Sequence, residues 1–459
     1  MNNHHFLLIC CPGQGHINPT LHLAKRLIDA GARATFATTV HGMSKIKSFP
    51  SLDGLSYASF SDGFDDGNKP MDDLNHIMSE FKRISSQTLT DLILTLSKEQ
   101  KPVTFLIYSF LLPWAALVAR DLGVPSAFLC IQSATALAIY NHYFSKQQGM
   151  YEKYKLDPPS FVELPSLPPF STRDLPSFLL PTSPHALIIP TFLEHIQILE
   201  EDPNPCVLLN TIDALEGEAI RTFSFFNPIT VGPLIPSAFF EDHQQEDSFC
   251  CDLFERSNGY LQWLDSKPEG SVVYVSFGTM AVLQRQQITE ILHGLLGSGF
   301  PFLWVIRFSE KNEEEEAKRT IENLSEDEDR GLLVPWCSQV EVLSHRSIGC
   351  FVMHCGWNST LESLAAGVPV VACPQISDQT TNAKLVEEVW SNGARAEVSE
   401  AGIIEREEIK RCVDQVMGGG GREEDIKNNA AKWKRIIALD KKEKGSSLNY
   451  LKLFLEKII

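Results

Sequence analysis

The stretch GLLVPWCSQVEVLSHRSIGCFVMHCGWNSTLESLAAGVPVVACPQISDQTTN, residues 331–382, decides the fold. Residues 348–353 form an apolar run of strand length, a glycine-containing turn follows at 354–359, and the composition of 360–366 predicts a helix. A second apolar run at 368–373 predicts another buried strand. A strand, a glycine turn and a helix start together direct backbone N–H groups and the positive end of a helix dipole at an anion. We therefore expect an α/β fold with a diphosphate site.

Polar residues around this turn extend the candidate anion site. Asn358 and Ser359 lie at the predicted helix start, where they would act as N-caps and add side-chain donors. Residues 374–379 form a polar loop at the carboxyl end of the second strand, where open α/β sheets bind their ligands. On residue type alone, His354 and Trp336 fit a buried core as well as they fit a ligand site.

Short apolar runs alternate with longer segments of helical period along the whole chain, which is typical of parallel sheets with crossover helices. The first unit begins with a predicted strand at 6–11, a tight turn at 12–15 and a helix at 17–30. The same order starts again with a strand at 271–277. A proline-punctuated and acidic stretch separates the two units, so we place a domain boundary near Pro236 and a linker over 237–252.

Composition and charge exclude several classes of partner. The 459 residues are 43% apolar and carry 58 acidic against 40 basic side chains, a formal net charge of −18. Such a surface repels phosphate backbones and anionic lipids, so we expect neither nucleic acid nor membrane insertion.

The charge-free stretches 103–119 and 122–144 are interrupted by prolines and fit a buried strand, helix, strand and helix better than a membrane span. Eleven cysteines without a C-x-x-C motif, and a start without a basic leader, predict a cytoplasmic protein with reduced thiols.

The combination of residues between 336 and 379 resembles one known family. These 44 residues match the signature of plant family 1 UDP-dependent glycosyltransferases, the secondary-product enzymes. The segment GQGHINP at 13–19 resembles the family's catalytic turn, and VSFGT at 275–279 resembles its second phosphate-binding strand. The stretch YSFLLPW at 108–114 most resembles the subgroup of anthocyanin 5-O-glucosyltransferases and enzymes that form glucose esters of crocetin-type or abscisate-type acids.

The resemblance implies a GT-B fold, in which two Rossmann-like doubly wound domains face each other across a cleft. The acceptor-binding domain would span 1–236, followed by the linker 237–252 and a UDP-sugar-binding domain over 253–440. A last helix, within 441–459, would cross back to the first domain. The resemblance also implies a monomer.

The family pattern assigns a set of residues to the UDP-sugar. Trp336 would stack on uracil, and Cys337 would reach the base through its backbone. Ribose hydroxyls would be held by Gln339 and Glu362. The remaining donor residues would be Thr279, His354, Asn358 and Ser359 at the diphosphate, and Trp357, Asp378 and Gln379 at the sugar. Gln379 resembles members that use UDP-glucose, so we expect that donor.

His16 is the candidate general base, because it follows a strand and a turn and because a neutral imidazole accepts a proton near pH 7. The alternative is a histidine near a helix start with no catalytic role. The family implies a single displacement on UDP-glucose with inversion, and neither a metal nor a covalently bound cofactor. Departing UDP would be stabilised by the helix start and its donors.

Ser109 departs from the family pattern, which places an aspartate at this position to orient the histidine. A serine hydroxyl can hydrogen-bond the imidazole but cannot supply a charge, and losing the carboxylate of a catalytic triad slows the reaction by orders of magnitude. We hypothesise that the acceptor is a carboxylic acid or an acidic phenol, which needs little help from a base.

The acceptor pocket is the part least determined by sequence, and Phe110, Gln132 and Tyr140 are its candidate residues. The most probable function is glucosylation of a small lipophilic plant metabolite such as a flavonoid, another phenol or a carboxylic acid. Two alternatives are a non-catalytic UDP-sugar binder, suggested by Ser109, and a nucleotide-sugar epimerase of the same fold.

Overall fold

The computed structural model describes residues 4–67, 74–146, 149–180, 183–240, 249, 251, 253–308, 315–317, 319–320, 330–441 and 445–458. The chain forms two compact units. Unit 1 comprises Met1–Pro236, Glu246–Leu253 and Asp440–Ile459, and unit 2 comprises Ser237–Gln245 and Phe254–Leu439.

Unit 1 is built on a seven-stranded parallel sheet of order β3-β2-β1-β4-β5-β8-β9. Its described strands are β1 (His5–Ile9), β2 (Arg33–Thr39), β3 (Leu55–Phe60), β4 (Phe105–Ser109), β5 (Ser126–Cys130), β6 (Phe161–Val162), β7 (Phe170–Ser171), β8 (Val207–Leu209) and β9 (Ile229–Thr230). Its helices are α1 (Gln14–Asp29), α2 (Val40–Lys45), α3 (Leu74–Lys98), α4 (Trp114–Asp121), α5 (Ala134–Phe144), α6 (Tyr151–Leu156), α7 (Ile189–Glu201) and α8 (Asp213–Ile220). Strands β6 and β7 form a separate antiparallel pair.

Unit 2 is built on a six-stranded parallel sheet of order β12-β11-β10-β13-β14-β15. Its described strands are β10 (Val272–Ser276), β11 (Phe302–Val305), β12 (Gly331–Val334), β13 (Ile348–Met353), β14 (Val370–Ala372) and β15 (Gly393–Arg395). Its helices are α9 (Tyr260–Asp265), α10 (Arg285–Ser298), α11 (Gln339–Leu343), α12 (Trp357–Ala366), α13 (Gln379–Lys384), α14 (Arg406–Met417) and α15 (Gly421–Asp440). The last helix, α16 (Ser446–Ile458), belongs to unit 1.

The charge-free stretches form buried secondary structure, as predicted. They contain β4, α4, β5 and α5 in that order, and every residue of the two strands is buried except Ser126 at the start of β5. Apolar burial on both faces of a parallel sheet explains their continuous hydrophobicity. Among the described residues, no helix is long and apolar enough to cross a bilayer.

The segment expected to be a linker, 237–252, lies mostly outside the described residues, which include only 237–240, 249 and 251 of it. Residues Ser237–Phe239 form a short 3₁₀ helix of unit 2. Cys251 is fully buried in unit 1, in a cluster with Cys10, Ile17 and Phe36. Phe249 packs against the same cluster, so the described residues at the end of this stretch contact the core of unit 1.

The C-terminal helix packs on unit 1 through apolar and polar contacts. The ring of Phe454 lies 5.5 Å from that of Phe105, edge to face. The hydroxyl of Tyr450 donates to a carboxylate oxygen of Asp213 at 3.0 Å. These contacts give α16 both a buried anchor and a polar attachment at its exposed side.

Candidate active site

The sheet of unit 2 reverses its winding direction between β10 and β13, which is where open α/β sheets bind ligands. Ser276 pairs with Met353 in register, and Met353 pairs with Ala372 on β14. The chain segments that follow these three strands are therefore neighbours at one edge of the sheet. They contain most of the residues assigned to the UDP-sugar.

Helix α12 begins at Trp357 with Gly356 as its N-cap, so the prediction that Asn358 and Ser359 cap a helix starting at 360 was wrong. Both residues lie inside the first helical turn instead. The helix start has no side-chain cap and no acidic residue in that turn. Its first backbone hydrogen bond runs from the N–H of Thr360 to the carbonyl of Gly356 at 3.0 Å. An uncapped start of this kind favours an anion.

His354 is held at the edge of this helix start by two glycines. A Cβ atom at Gly278 would lie 2.8 Å from the Nε2 atom of His354, and one at Gly356 would lie 2.5 Å from it. Only glycine therefore leaves room for the ring at both positions. Burial lowers the pKa of His354 to about 4, so the imidazole is neutral at pH 7.

A carboxylate and an amide form a connected pair beside α12. The Nε2 group of Gln339 donates to Glu362 at 2.6 Å and to the hydroxyl of Ser359 at 2.9 Å, while the hydroxyl of Tyr274 donates to its Oε1 atom at 3.3 Å. Burial raises the pKa of Glu362 to about 7. The other carboxylate oxygen, Oε1, has no protein partner in the part of the chain that is described, which leaves it for a ligand hydroxyl.

Trp336 and Cys337 follow strand β12. The ring of Trp336 lies 5.0 Å from that of Phe254 at an angle of 44°, and its Nε1 atom has no hydrogen-bond partner among the described residues. The sulfur of Cys337 lies 3.8 Å from the hydroxyl of Tyr274. Burial raises the pKa of Cys337 to about 12, so this residue is a thiol and not a reactive thiolate.

Asp378 ends the loop after β14 and is the N-cap of α13, whose first residue is Gln379. The side-chain amide of Asn382 donates to Asp378 at 2.8 Å and to the carbonyl of Cys355 at 3.0 Å, which ties this loop to the turn after β13. The Oε1 atom of Gln379 accepts from the backbone N–H groups of Gln375 and Ile376 at 2.9 and 3.0 Å. Trp357 is the first residue of α12, and the centre of its ring lies 6.0 Å from that of Trp390.

Unit 1 has its own reversal of winding, between β1 and β4. His16 was expected to precede the helix, but α1 begins at Gln14 with Gly13 as N-cap, so His16 lies in the first turn. Burial lowers the pKa of His16 to about 4. Ser109 is the last residue of β4 and is 1% exposed. The Nδ1 atom of His16 and the hydroxyl of Ser109 are both buried, and neither has a hydrogen-bond partner in the described residues.

The three acceptor candidates come together, but they are not equally accessible. The hydroxyl of Tyr140 donates to the Oε1 atom of Gln132 at 3.0 Å, and the rings of Phe110 and Tyr140 are 6.3 Å apart. Phe110 and Tyr140 are buried in an aromatic cluster of unit 1, whereas Gln132 is half-buried. The polar end of this group is therefore at Gln132.

Comparisons with known proteins agree with this geometry. A family model described as UDP-glucuronosyl and UDP-glucosyl transferase matches residues 246–436. The chain is 49% identical to phloretin 4'-O-glucosyltransferase of Malus domestica, over 100% of this chain and 98% of that protein. It is 47% identical to the chloroplastic crocetin glucosyltransferase of Gardenia jasminoides, over 98% and 97%. The chain belongs to this transferase family.

Further relatives place the chain near the predicted subgroup. Anthocyanidin 3-O-glucoside 5-O-glucosyltransferase 1 of Perilla frutescens is 44% identical over 98% of both proteins. The crystal structure of Os79 from O. sativa in complex with UDP matches with a TM-score of 0.86 at 32% identity, over 98% of this chain and 100% of that one. The predicted family and GT-B fold are confirmed, and the protein is a UDP-glycosyltransferase.

Two residues of the glycosyltransferase's GQGHINP segment have a structural role that the sequence analysis missed. The side-chain amide of Gln14 donates to the carbonyl of Cys251 and accepts from the N–H of Leu253 at 3.3 Å. Asn18 accepts from the N–H of Cys251 at 3.3 Å. The two side chains flank His16 on α1 and attach the backbone of Cys251 and Leu253 to that helix. Their position in the quoted motif was the available signal, but the partners lie more than 230 residues away.

Glu216 also escaped the sequence analysis of this transferase. Its buried carboxylate accepts from the N–H groups of Ala134 and Thr135 at 3.0 and 2.9 Å and from the Thr135 hydroxyl at 2.8 Å. Ser133 caps the same helix through its hydroxyl. The start of α5 is thus closed by protein groups. Nothing in the sequence around residue 216 indicated this partner.

Proposed function

We propose that the protein transfers glucose from UDP-glucose to an oxygen of a small lipophilic acceptor, with inversion and without a metal. The observation that carries this proposal is the uncapped start of α12 beside the linked side chains of Gln339 and Glu362. A helix start without its own acid suits a diphosphate, and an adjacent carboxylate suits the ribose diol. Family membership supports both assignments.

The donor residues divide by the chemistry of their partners. We assign uracil stacking to Trp336, with the backbone of Cys337 at the base edge, and the ribose hydroxyls to Glu362, held in place by Gln339. For the diphosphate we propose Thr279, His354, Asn358 and Ser359, and for the sugar Trp357, Asp378 and Gln379. The Oε1 atom of Gln379 is engaged by two backbone N–H groups, so its amide Nε2 is the group that faces a sugar hydroxyl.

The acceptor oxygen attacks the anomeric carbon as the bond from that carbon to the β-phosphate oxygen breaks. The proton of a hydroxyl acceptor passes to His16, whose pKa of about 4 keeps it neutral and able to accept at pH 7. Negative charge developing on UDP is met by the start of α12 and its donors. Attack from the face opposite UDP gives the β-glucoside.

The acceptor is an acid or an acidic phenol in this proposal. Ser109 and His16 each leave a buried polar atom without a partner, so the serine does not hold the histidine as an aspartate would. An acceptor that is already ionised at neutral pH avoids the protonated histidine altogether. Relatives named for crocetin, phloretin and anthocyanidin glucosides supply the panel of acceptors to test.

We also propose that the enzyme works as a monomer in the cytoplasm. The cysteines within the described residues are thiols, and most of them are buried, as expected in a reducing compartment. The described residues contain no cluster of His, Cys, Asp and Glu suited to a metal.

A product screen tests the proposed reaction. The purified protein is given UDP-glucose and a panel of aromatic acids, apocarotenoid acids, flavonoids and simple alcohols, and products are identified by mass spectrometry. His16→Ala is run in parallel, with exposed His185→Ala as the matched control. We expect alkali-labile glucose esters from acids, largely retained in His16→Ala, and phenolic glucosides that are lost in it. Absence of any glucoside, or glucosylation of simple alcohols but not of acids, contradicts the proposal.

A further inference from the structure

Arg307 connects two parts of the donor site that are separate in sequence. Its guanidinium carbon lies 4.5 Å from the ring centre of Phe254, which packs against Trp336. Its Nη2 group donates to the carbonyl of Thr279 at 3.4 Å. One side chain just beyond β11 therefore contacts the turn after β10 and, through one aromatic ring, the tryptophan after β12.

The charge of Arg307 is not neutralised by a carboxylate among the described residues. Other arginines of unit 2 are paired, for example Arg406 with Glu290 at 2.5 Å and Arg411 with Glu408 at 2.6 Å. Arg307 is exposed and has only a carbonyl and an aromatic ring as partners. In a chain with a formal net charge of −18, a cation without an acid partner at the edge of the sheet is available to a ligand.

The donor residues assigned above supply no other cation. None of them is a lysine or an arginine, and His354 is neutral at pH 7 because its pKa is about 4. A nucleoside diphosphate carries at least two negative charges at this pH. The helix start provides only partial charges to meet them.

We infer that Arg307 is a further residue of the donor site, which supplies positive charge to the diphosphate of the nucleotide. This inference rests on the proposed UDP-sugar site and adds a residue to it. The planar guanidinium lies over Phe254 while it holds the turn at Thr279, so its charge is kept beside the phosphate-binding turn. A lysine keeps the charge but lacks the planar face that lies over Phe254.

Measurements of nucleotide affinity on three variants separate the effect of the Arg307 charge from the effect of its packing on Phe254. Arg307→Met keeps an unbranched side chain over Phe254 and removes the charge, Arg307→Lys keeps the charge, and exposed Arg435→Met on α15 removes the same charge elsewhere in unit 2. Affinities for UDP and for uncharged uridine are measured by isothermal titration calorimetry between 20 and 300 mM salt.

We expect Arg307→Met to lower the affinity for UDP by about three- to tenfold at low salt and to leave the affinity for uridine unchanged. The affinity of this variant for UDP should also depend less on salt. Arg307→Lys should recover part of the loss, and Arg435→Met should behave as the unmodified protein. Equal losses for UDP and uridine overturn the inference, because the arginine would then act only through Trp336. No loss for UDP overturns it as well. An unmodified protein that fails to bind UDP refutes the proposed function instead.

Discussion

Replacing Ser109 by aspartate should convert the enzyme into a better catalyst for weakly acidic alcohols. Burial moves the pKa of His16 from 6.5 to about 4, which corresponds to about 3 kcal/mol against the protonated imidazole. That cost is present in any mechanism in which His16 takes the proton. An acceptor that arrives ionised does not incur it.

A carboxylate within about 4–6 Å raises the pKa of a histidine by about one to three, equivalent to about 1 to 4 kcal/mol, which offsets between about two fifths and all of this cost. If proton transfer limits the rate, kcat for a simple alcohol should rise by about 10- to 100-fold in Ser109→Asp. Rates with carboxylic acids should stay the same or fall, because the new charge repels an anionic acceptor.

The assay is a set of initial rates for acceptors graded in pKa, followed from pH 5 to 9 by mass spectrometry. In the unmodified protein the rate with an alcohol should be flat down to pH 5, because His16 stays neutral. In Ser109→Asp the acid limb should move toward pH 6, since the folded-state pKa of the histidine is raised.

Ser109→Asn is the control, because an amide has nearly the same shape and can hydrogen-bond Nδ1 but carries no charge. Position 109 is 1% exposed, so the unfolding temperature and the UDP affinity of both variants are measured first. If Ser109→Asn accelerates the alcohol as much as Ser109→Asp, orientation of the ring and not charge is the missing element. If a folded, UDP-binding Ser109→Asp shows no gain, the account of Ser109 is refuted.

Three further predictions concern hydrogen-bonded side chains outside the acceptor site. Because burial raises the pKa of Glu362 from 4.5 to about 7, the folded protein retains a proton that the unfolded chain releases, so stability falls as pH rises through this window, by at most about 3 kcal/mol. Glu362→Gln should remove that fall in stability, so that the unfolding temperatures without nucleotide are equal at pH 5 and pH 8 once other pH effects are subtracted. The same variant should lower the affinity for UDP about tenfold, measured by calorimetry. Gln14→Ala should release the backbone at Cys251 and Leu253, measured as faster proteolysis near these residues with unchanged uridine affinity. Unchanged proteolysis would contradict the attachment of Cys251 and Leu253 to Gln14. Glu216→Gln leaves one acceptor oxygen for three donors and should lower the free energy of unfolding by about 1–3 kcal/mol in urea titrations, whereas a loss below 0.5 kcal/mol would mean that water replaces the carboxylate.

The sequence predicted those features that depend on local pattern. Apolar runs located the central strands, and a turn motif located His354 and His16 at the two reversals of winding. Both helix starts were placed too late, at 17 and 360 instead of Gln14 and Trp357. In each case a glycine serves as N-cap, and a glycine followed by polar residues has the same pattern as a turn.

The features that sequence could not predict depend on contacts across long separations. Gln14 meets the backbone of Cys251 across 237 residues, and Glu216 reaches Thr135 across 81. Such partners are chosen by tertiary packing and leave no local periodicity. The missing contact between Ser109 and His16 is of the same kind, because a serine at the aligned position indicates proximity but not whether a hydrogen bond forms.

Three helices that follow central strands differ in how their N-termini are capped, and this difference matches their proposed roles. Helix α5 begins with Ser133 as a cap and the Glu216 carboxylate on its first N–H groups, so its dipole is neutralised by the protein. Helices α1 and α12 begin after glycines, with no side-chain cap and no acid in the first turn. They are also the helices that carry His16 and the proposed diphosphate donors. A positive helix end disfavours a protonated histidine and favours an anion, so the same uncapped start suits a neutral base in unit 1 and a leaving diphosphate in unit 2. Placing an aspartate at position 13, where a Cβ atom would lie 3.5 Å from the ring of His16, would close the start of α1 as Glu216 closes α5, and function should be lost while stability is retained.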